Sequence, residues 1–243
     1  MQIDKLDPPG KTLRAVQEVG RKVVFCTPTI TKPHPAYLAA LEASVPLVVA
    51  AGWQESATWM VGCAYISAAR SIMLRRALDA KADVIVFLDH DMSWEPADMV
   101  RLLETPGDVV CGTYRFKHDK EEYMGRPYVG PNGRPMVRDD GCVQMYAIPA
   151  GFLKITRKAV NTFMRAYPSL VYGDECSPSV DLFNHGAFDG MWWGEDYAFA
   201  HRWNDKCGEI WCIPDLKLTH HDGDKSYPGN YHEFMLKPIE GGP

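Results

Sequence analysis

The sequence predicts an α/β fold with a mostly parallel central sheet flanked by helices. Three observations lead there. Val84-Ile85-Val86-Phe87-Leu88 is an unbroken apolar run, as a strand buried on both faces requires. It stops at Asp89-His90-Asp91, at the carboxyl end where such sheets receive ligands. Before it, short apolar runs alternate with helical patterns, the order that gives parallel pairing.

Taken in order, residues 1–20 read as an N-terminal arm. Val23-Val24-Phe25-Cys26 is a first strand, ending at Thr27-Pro28-Thr29. Pro35 suits the first turn of a helix running through Glu42. Residues 45–51 read as a second strand and 52–59 as a polar, aromatic loop. A helix is expected over 62–80, with Gly62, Ile66, Ala69, Met73 and Ala77 on its apolar stripe. Arg70 falls at the edge of that stripe, where a charge needs a partner. It has three readings: a stem on the core, a cation for a phosphate, or one that orients an acid.

After the central strand, Ser93 is expected to cap a helix reaching Leu103. Residues 108–114 form a strand, and 115–141 an inserted loop rich in Gly, Pro and charge, with a turn at Asn132-Gly133. Residues 143–149 read as a strand, residues 150–155 follow it, and Thr156 caps a helix through Ala166. Residues 167–193 are irregular and aromatic. A helix opens at Gly194-Glu195-Asp196, a strand covers 209–213, and residues 216–221 lead into a tail, 219–243, that closes on the site. Without a repeat or a linker, 1–243 reads as a single domain.

Composition narrows the function classes. An apolar fraction of 46% supports a substantial core. A net charge of −5 argues against a large nonspecific nucleic-acid surface, although Arg and Lys cluster at 114–138. The seven cysteines include no Cys-x-x-Cys pair, against a zinc ribbon or a complete disulfide framework, and read mostly as core residues. No stretch approaches the roughly 20 apolar residues of a membrane span, and residues 1–22 hold no signal-peptide core. A soluble, cytoplasmic protein is expected.

The candidate chemistry starts from Asp89 and Asp91. Hard carboxylate oxygens at a strand end suit Mg²⁺ or Mn²⁺, ions that also bind phosphates. Two aspartates ending a strand also serve simply to begin a turn. Asp91 is the better direct ligand, while Asp89 is left with ligation, ligation through water, or a hold on a ribose. Glu195 and Asp196 open a helix, where acids favour the dipole. Adjacent acids also repel, leaving one with a raised pKa suited to proton transfer. Trp192 and Trp193 fit either a ligand platform or the core. For His220 and His221, a strand-based count favours the first as a metal ligand and the spacing to Gly223 the second.

Together these motifs resemble a GT-A (Rossmann-like) glycosyltransferase of the family-2-like kind, over about residues 22–231. Thr27-Pro28-Thr29 matches the nucleotide-receiving strand end. Ala69-Arg70-Ser71 resembles the family's Ala-Arg-Asn segment, with Ser71 in place of Asn. Asp89-His90-Asp91 matches Asp-x-Asp. Pro149-Ala150-Gly151-Phe152 resembles the turn before the acceptor-side helix, Gly194-Glu195-Asp196 the Glu-Asp motif, and His220 or His221 the C-terminal metal histidine.

The resemblance implies a Mn²⁺- or Mg²⁺-dependent transfer of a sugar from a nucleotide sugar, a UDP-sugar favoured, to a hydroxyl acceptor with inversion. Asp196 would be the base, with Glu195 its neighbour or substitute. Asp91, Asp89 and His220 or His221 would hold the metal. Thr27, Pro28, Thr29, Arg70, Asp89 and His90 would bind the donor, and Gly151, Trp192 and Trp193 the acceptor. The chain is also similar to phage enzymes that glycosylate hydroxymethylated pyrimidines in DNA. That acceptor would put the protein in the host cytoplasm and give the 115–138 segment a DNA to grip. The alternatives are a nucleotidyltransferase, disfavoured because residues 27–35 lack glycine, and a non-catalytic nucleotide-sugar binding protein.

Overall fold

The computed structural model describes residues 21–237. The expected arm, 1–20, and the last six residues of the tail lie outside the described residues. In chain order the elements are β1 (Arg21–Thr29), α1 (Pro35–Ala50), β2 (Trp53–Val61), α2 (Ile66–Asp79), β3 (Val84–Leu88), β4 (Met92–Ser93), α3 (Pro96–Glu104) and β5 (Val109–Cys111). There follow β6 (Arg126–Pro127), β7 (Val143–Ala147), β8 (Phe152–Thr156), α4 (Arg157–Ala166), β9 (Val171–Asp174), β10 (Ser177–Val180), β11 (Gly186–Phe188) and β12 (Met191–Trp193). Last come α5 (Glu195–Lys206), β13 (Ile210–Cys212), β14 (Lys217–Asp222), β15 (Lys225–Asn230) and α6 (Tyr231–Met235).

The protein is mixed α/β, with eight strands in the order β2-β1-β3-β8-β5-β13-β7-β6. The sheet is mixed rather than mostly parallel. Helical crossovers α1, α2 and α3 keep β1, β2, β3 and β5 in one direction. β5 does not lie beside β3, however, and β8 fills the gap between them antiparallel to both. At the far edge β7 runs antiparallel to β13 and to β6, the strand before it in the chain.

β3 is the centre of the core, with every side chain buried. Alternation sends Ile85 and Phe87 to one face, against Met73 of α2, Phe163 of α4 and Phe199 of α5. Val84, Val86 and Leu88 meet Tyr37 of α1 and Leu102 of α3 on the other face. Each such side chain contributes roughly 1.5–3 kcal/mol by leaving water. Four of the seven cysteines, Cys26, Cys111, Cys142 and Cys212, are buried, as expected of small core residues.

Several expected elements are different: residues 167–193, read as irregular, hold the short strands β9 to β12, and α2 begins at Ile66, leaving Gly62 outside it. Residues 45–51 are not a strand; almost all of them extend α1, which carries Pro46 inside it. Pro46 lies on the exposed face, so water can satisfy the carbonyl it leaves unpaired. The second strand is instead Trp53–Val61, paired with β1 along its whole length. It is the sheet's edge, where polar residues discourage further pairing, and so its sequence reads as a loop. Ser93 does not cap α3 either. Pro96 takes the first helical position and Glu95 the cap, because a residue before proline is held extended. Thr156 caps α4 as expected, accepting from the Ala159 amide.

Candidate active site

β3 delivers Asp89, His90 and Asp91 to its carboxyl end, and the chain then turns into β4. β14 pairs with β4, setting His220 opposite Met92 and Thr219 opposite Ser93. The His221 amide donates to the Asp91 carbonyl at 2.8 Å. This register decides which histidine faces the carboxylates, since neighbouring strand residues point opposite ways. His220 turns its Nε2 to within 3.5 Å of Asp91 Oδ2. Its Nδ1 lies 2.9 Å from the Arg115 carbonyl. A carbonyl only accepts, so Nδ1 carries the proton and the ring is oriented, as ligating histidines are. His221 turns away and stacks on His34 at 4.2 Å. The hydroxyls of Ser93 and Ser226 engage both its ring nitrogens, at 2.8 and 3.0 Å. Burial, reinforced by His34, lowers its pKa and keeps it neutral.

Arg70 is 1% exposed and spans two acids. It donates to Asp89 Oδ1 at 2.9 Å and to Glu195 Oε1 at 2.6 Å. Burial opposes its charge, but the Asp89 and Glu195 carboxylates outweigh it and the pKa rises. Of the three readings of Arg70, these contacts match the one in which it orients acids. Its Nε, also buried, has no hydrogen-bond partner among the described residues. The Asp89 carboxylate is held on its other side by the Tyr114 hydroxyl, 3.3 Å from Oδ2. Tyr114 in turn accepts from the Gly151 amide at 3.1 Å, and the Asp89 amide donates to the Gly151 carbonyl. Gly151 is therefore a close-approach residue: a Cβ there would overlap the Tyr114 hydroxyl and the Asp89 carboxylate. An acceptor-binding role is not needed to explain it.

Glu195 and Asp196 occupy the first turn of α5, after Gly194 at its cap. With Glu195 committed to Arg70, Asp196 is the acid left over. Its only hydrogen bond among the described residues comes from the Tyr197 amide. Burial, with the Glu195 charge beside it, pushes its pKa up to about 7, Arg70 only partly opposing. Such a carboxylate exchanges protons near neutral pH.

Asp91 is the opposite case. Burial would raise its pKa, but His220 and Lys117 outweigh burial and hold it far below the usual carboxylate range. The Lys117 ammonium is 2.5 Å from Asp91 Oδ2. No group of three or more His, Cys, Asp or Glu side chains converges on a metal position among the described residues. One carboxylate and one oriented imidazole nonetheless fit Mn²⁺ or Mg²⁺, which take further oxygens from water and phosphate. Asp89 has both oxygens engaged by Arg70 and Tyr114, which favours a positioned over a directly ligating carboxylate.

A cavity of about 270 Å³ lies over this end of the sheet, lined by Pro28, Thr29, Cys63, Ile66, Asp89, His90, Asp91 and His220. Pro28, Thr29 and His90 thus share one space with both aspartates. Thr27 does not: it is buried, its hydroxyl 2.5 Å from that of Tyr37. Tyr37 of α1 covers that stretch of β1 and holds it in the core. A larger cavity, near 550 Å³ and lined by Arg101, Asp140, Cys142 and His232, contains none of these groups.

The two tryptophans of β12 separate cleanly. Trp193 stacks on His201 at 4.5 Å and donates to the Phe188 carbonyl. Trp192 is 73% exposed. Only the second is free to meet a ligand. The charges of the inserted loop are mostly engaged within the protein. Lys117 bonds to Asp91, Lys120 to Glu122 and Arg138 to Asp140, while Arg115 and Arg126 donate to backbone carbonyls. They form no free basic stripe.

Two residues of the site escaped the sequence. Tyr114 lies just beyond β5, at the end of the run expected as a strand, and nothing in that short run marks its hydroxyl. Lys117 lies in the basic cluster, where its charge reads as one of many. Compared with known family models and with curated proteins, the sequence matches none. No helix among the described residues is long and apolar enough to cross a membrane.

Proposed function

We propose that the protein is a metal-dependent GT-A-type glycosyltransferase, moving a sugar from a nucleotide sugar, a UDP-sugar favoured, to a hydroxyl acceptor with inversion. One observation carries the reading. Buried Arg70 ties Asp89, beside the cavity, to Glu195, leaving Asp196 next to it with a pKa near 7. A leaving-group end and a proton-accepting end are thereby fixed relative to one another.

Asp91 and His220 would hold the cation, which supplies positive charge to the departing diphosphate. Asp89, fixed by Arg70 and Tyr114, faces the donor rather than the solvent. Pro28, Thr29 and His90 bound the donor space. Asp196 takes the proton of the acceptor hydroxyl. The acceptor oxygen bonds to the anomeric carbon as the bond from that carbon to the phosphate oxygen breaks. The electron pair leaves with the nucleoside diphosphate. Trp192 offers the acceptor a flat face. The internally paired charges of the inserted loop do not favour a DNA acceptor, so the acceptor is named only as a hydroxyl.

The test is a donor panel. UDP-, GDP- and TDP-sugars are incubated with Mn²⁺, and released nucleoside diphosphate is measured, with and without hydroxymethylated DNA. Release with one donor, abolished in Asp91→Ala and Asp196→Asn, is expected. Equal release by Asp91→Ala would sink the metal-site claim, and no release or binding with any donor would sink the transferase.

A further inference from the structure

Arg70 was the obvious cation for a diphosphate, yet both of its terminal nitrogens are committed to carboxylates. A nucleoside diphosphate in the 270 Å³ cavity needs another positive side chain. Lys117 is at hand. It comes from a turn closed by the Arg115–Tyr123 bridge and the Phe116 amide donating to Glu122. The base of the turn is fixed: the Arg115 carbonyl holds His220, and its guanidinium bonds to the carbonyls of His118 and Asp119. Among the described residues, a single hydrogen bond holds the Lys117 side chain. The Lys117 side chain is 32% exposed, and its flexible stem ends on the oxygen that His220 also approaches. An ammonium and a divalent cation on that one oxygen repel each other, so each weakens the other's hold.

We propose that Lys117 is a transferable cation: it pairs with Asp91, competes there with the divalent cation, and moves to the diphosphate of the bound donor. This rests on the transferase reading above and extends it to a donor-binding residue. A lysine suits the task because it acts as a point charge on a mobile stem, where an arginine fork would be fixed.

The experiment compares wild type with Lys117→Met and Lys117→Arg. Mn²⁺ binding without nucleotide is followed by electron paramagnetic resonance, and UDP binding at saturating Mn²⁺ by calorimetry. Melting temperatures check that the exposed substitution leaves the fold intact. Lys117→Met is expected to bind Mn²⁺ about tenfold more tightly and UDP about tenfold more weakly. Lys117→Arg keeps a charge on Asp91 and should stay near wild type in Mn²⁺ affinity, but its fixed fork should leave UDP binding weakened. Unchanged Mn²⁺ affinity or unchanged UDP affinity in Lys117→Met overturns the proposal. If wild type and Lys117→Met bind Mn²⁺ no better than Asp91→Ala, the metal-site reading fails too. Binding that needs Asp91 but ignores Lys117 overturns this proposal alone.

Discussion

Arg70 donates to Glu195 at 2.6 Å, joining α2 to the first turn of α5 across 125 residues of sequence. The same guanidinium reaches Asp89, so one buried cation compensates carboxylates from two elements. Replacing it with Met would leave both acids without their partner. A loss of about 3–5 kcal/mol is expected, read from urea denaturation. Arg70→Lys keeps one charge but cannot span both acids, and should recover only part of it.

Asp196 makes a prediction that depends on pH. Its folded pKa, near 7, lies above the ordinary carboxylate value. The stability it contributes is therefore complete below about pH 4 and lost as pH rises through 7. Three units would amount to roughly 4 kcal/mol, but the carboxyl is only half-buried, so about 2 kcal/mol is expected. Asp196→Asn should match wild type near pH 4 and exceed it at about pH 8. Transfer should rise with pH through 7 in wild type and be absent in the variant. Equal stability at both pH values would refute the raised pKa.

Gly151 offers a steric test. Its missing Cβ makes room for the Tyr114 hydroxyl and the Asp89 carboxylate. Gly151→Ala should cost about 1–3 kcal/mol through this overlap and lower turnover by displacing Asp89. Combining it with Tyr114→Phe, which removes one overlapping atom, should recover part of the stability. No recovery would mean the clash lies elsewhere.

The two histidines should separate. His220→Ala is expected to weaken Mn²⁺ binding about tenfold or more with little change in folding. His221→Ala should spare Mn²⁺ binding and cost about 1–3 kcal/mol, because it strands the Ser93 and Ser226 hydroxyls. Titration of Mn²⁺ alongside thermal unfolding of both variants decides between them.

The tryptophans should separate in the same way. Trp192→Ala, at an exposed position, should alter stability by no more than about 0.5 kcal/mol while raising the acceptor KM. Trp193→Ala removes the stack on His201 and should cost roughly 1–3 kcal/mol.

How much of this was legible in the sequence varied with the physics. β3 was plain, because a strand buried on both faces must be apolar throughout. So were Thr156 and the opening of α5, where local hydrogen bonding and charge leave a signature. β2 was hidden because an edge strand tolerates polar residues, and the apolar end of α1 looked more like a strand than β2 did. In the site, the aspartates and Arg70 announced themselves by burial and charge. The choice between His220 and His221 needed the pairing of β14 with a strand two residues long. Tyr114 and Lys117 act through contacts distant in sequence, and no spacing encodes those.

That short pairing has a thermal corollary. β14 and β15 form a hairpin that meets the rest of the molecule's backbone at Met92, Ser93 and Asp91. Its opening free energy can lie well below that of the eight-stranded sheet, since contiguous units open separately. Amide exchange at His220 and His221 would then run ahead of exchange in β3. The capacity to bind metal would fade on warming before the protein melts, and would return on cooling.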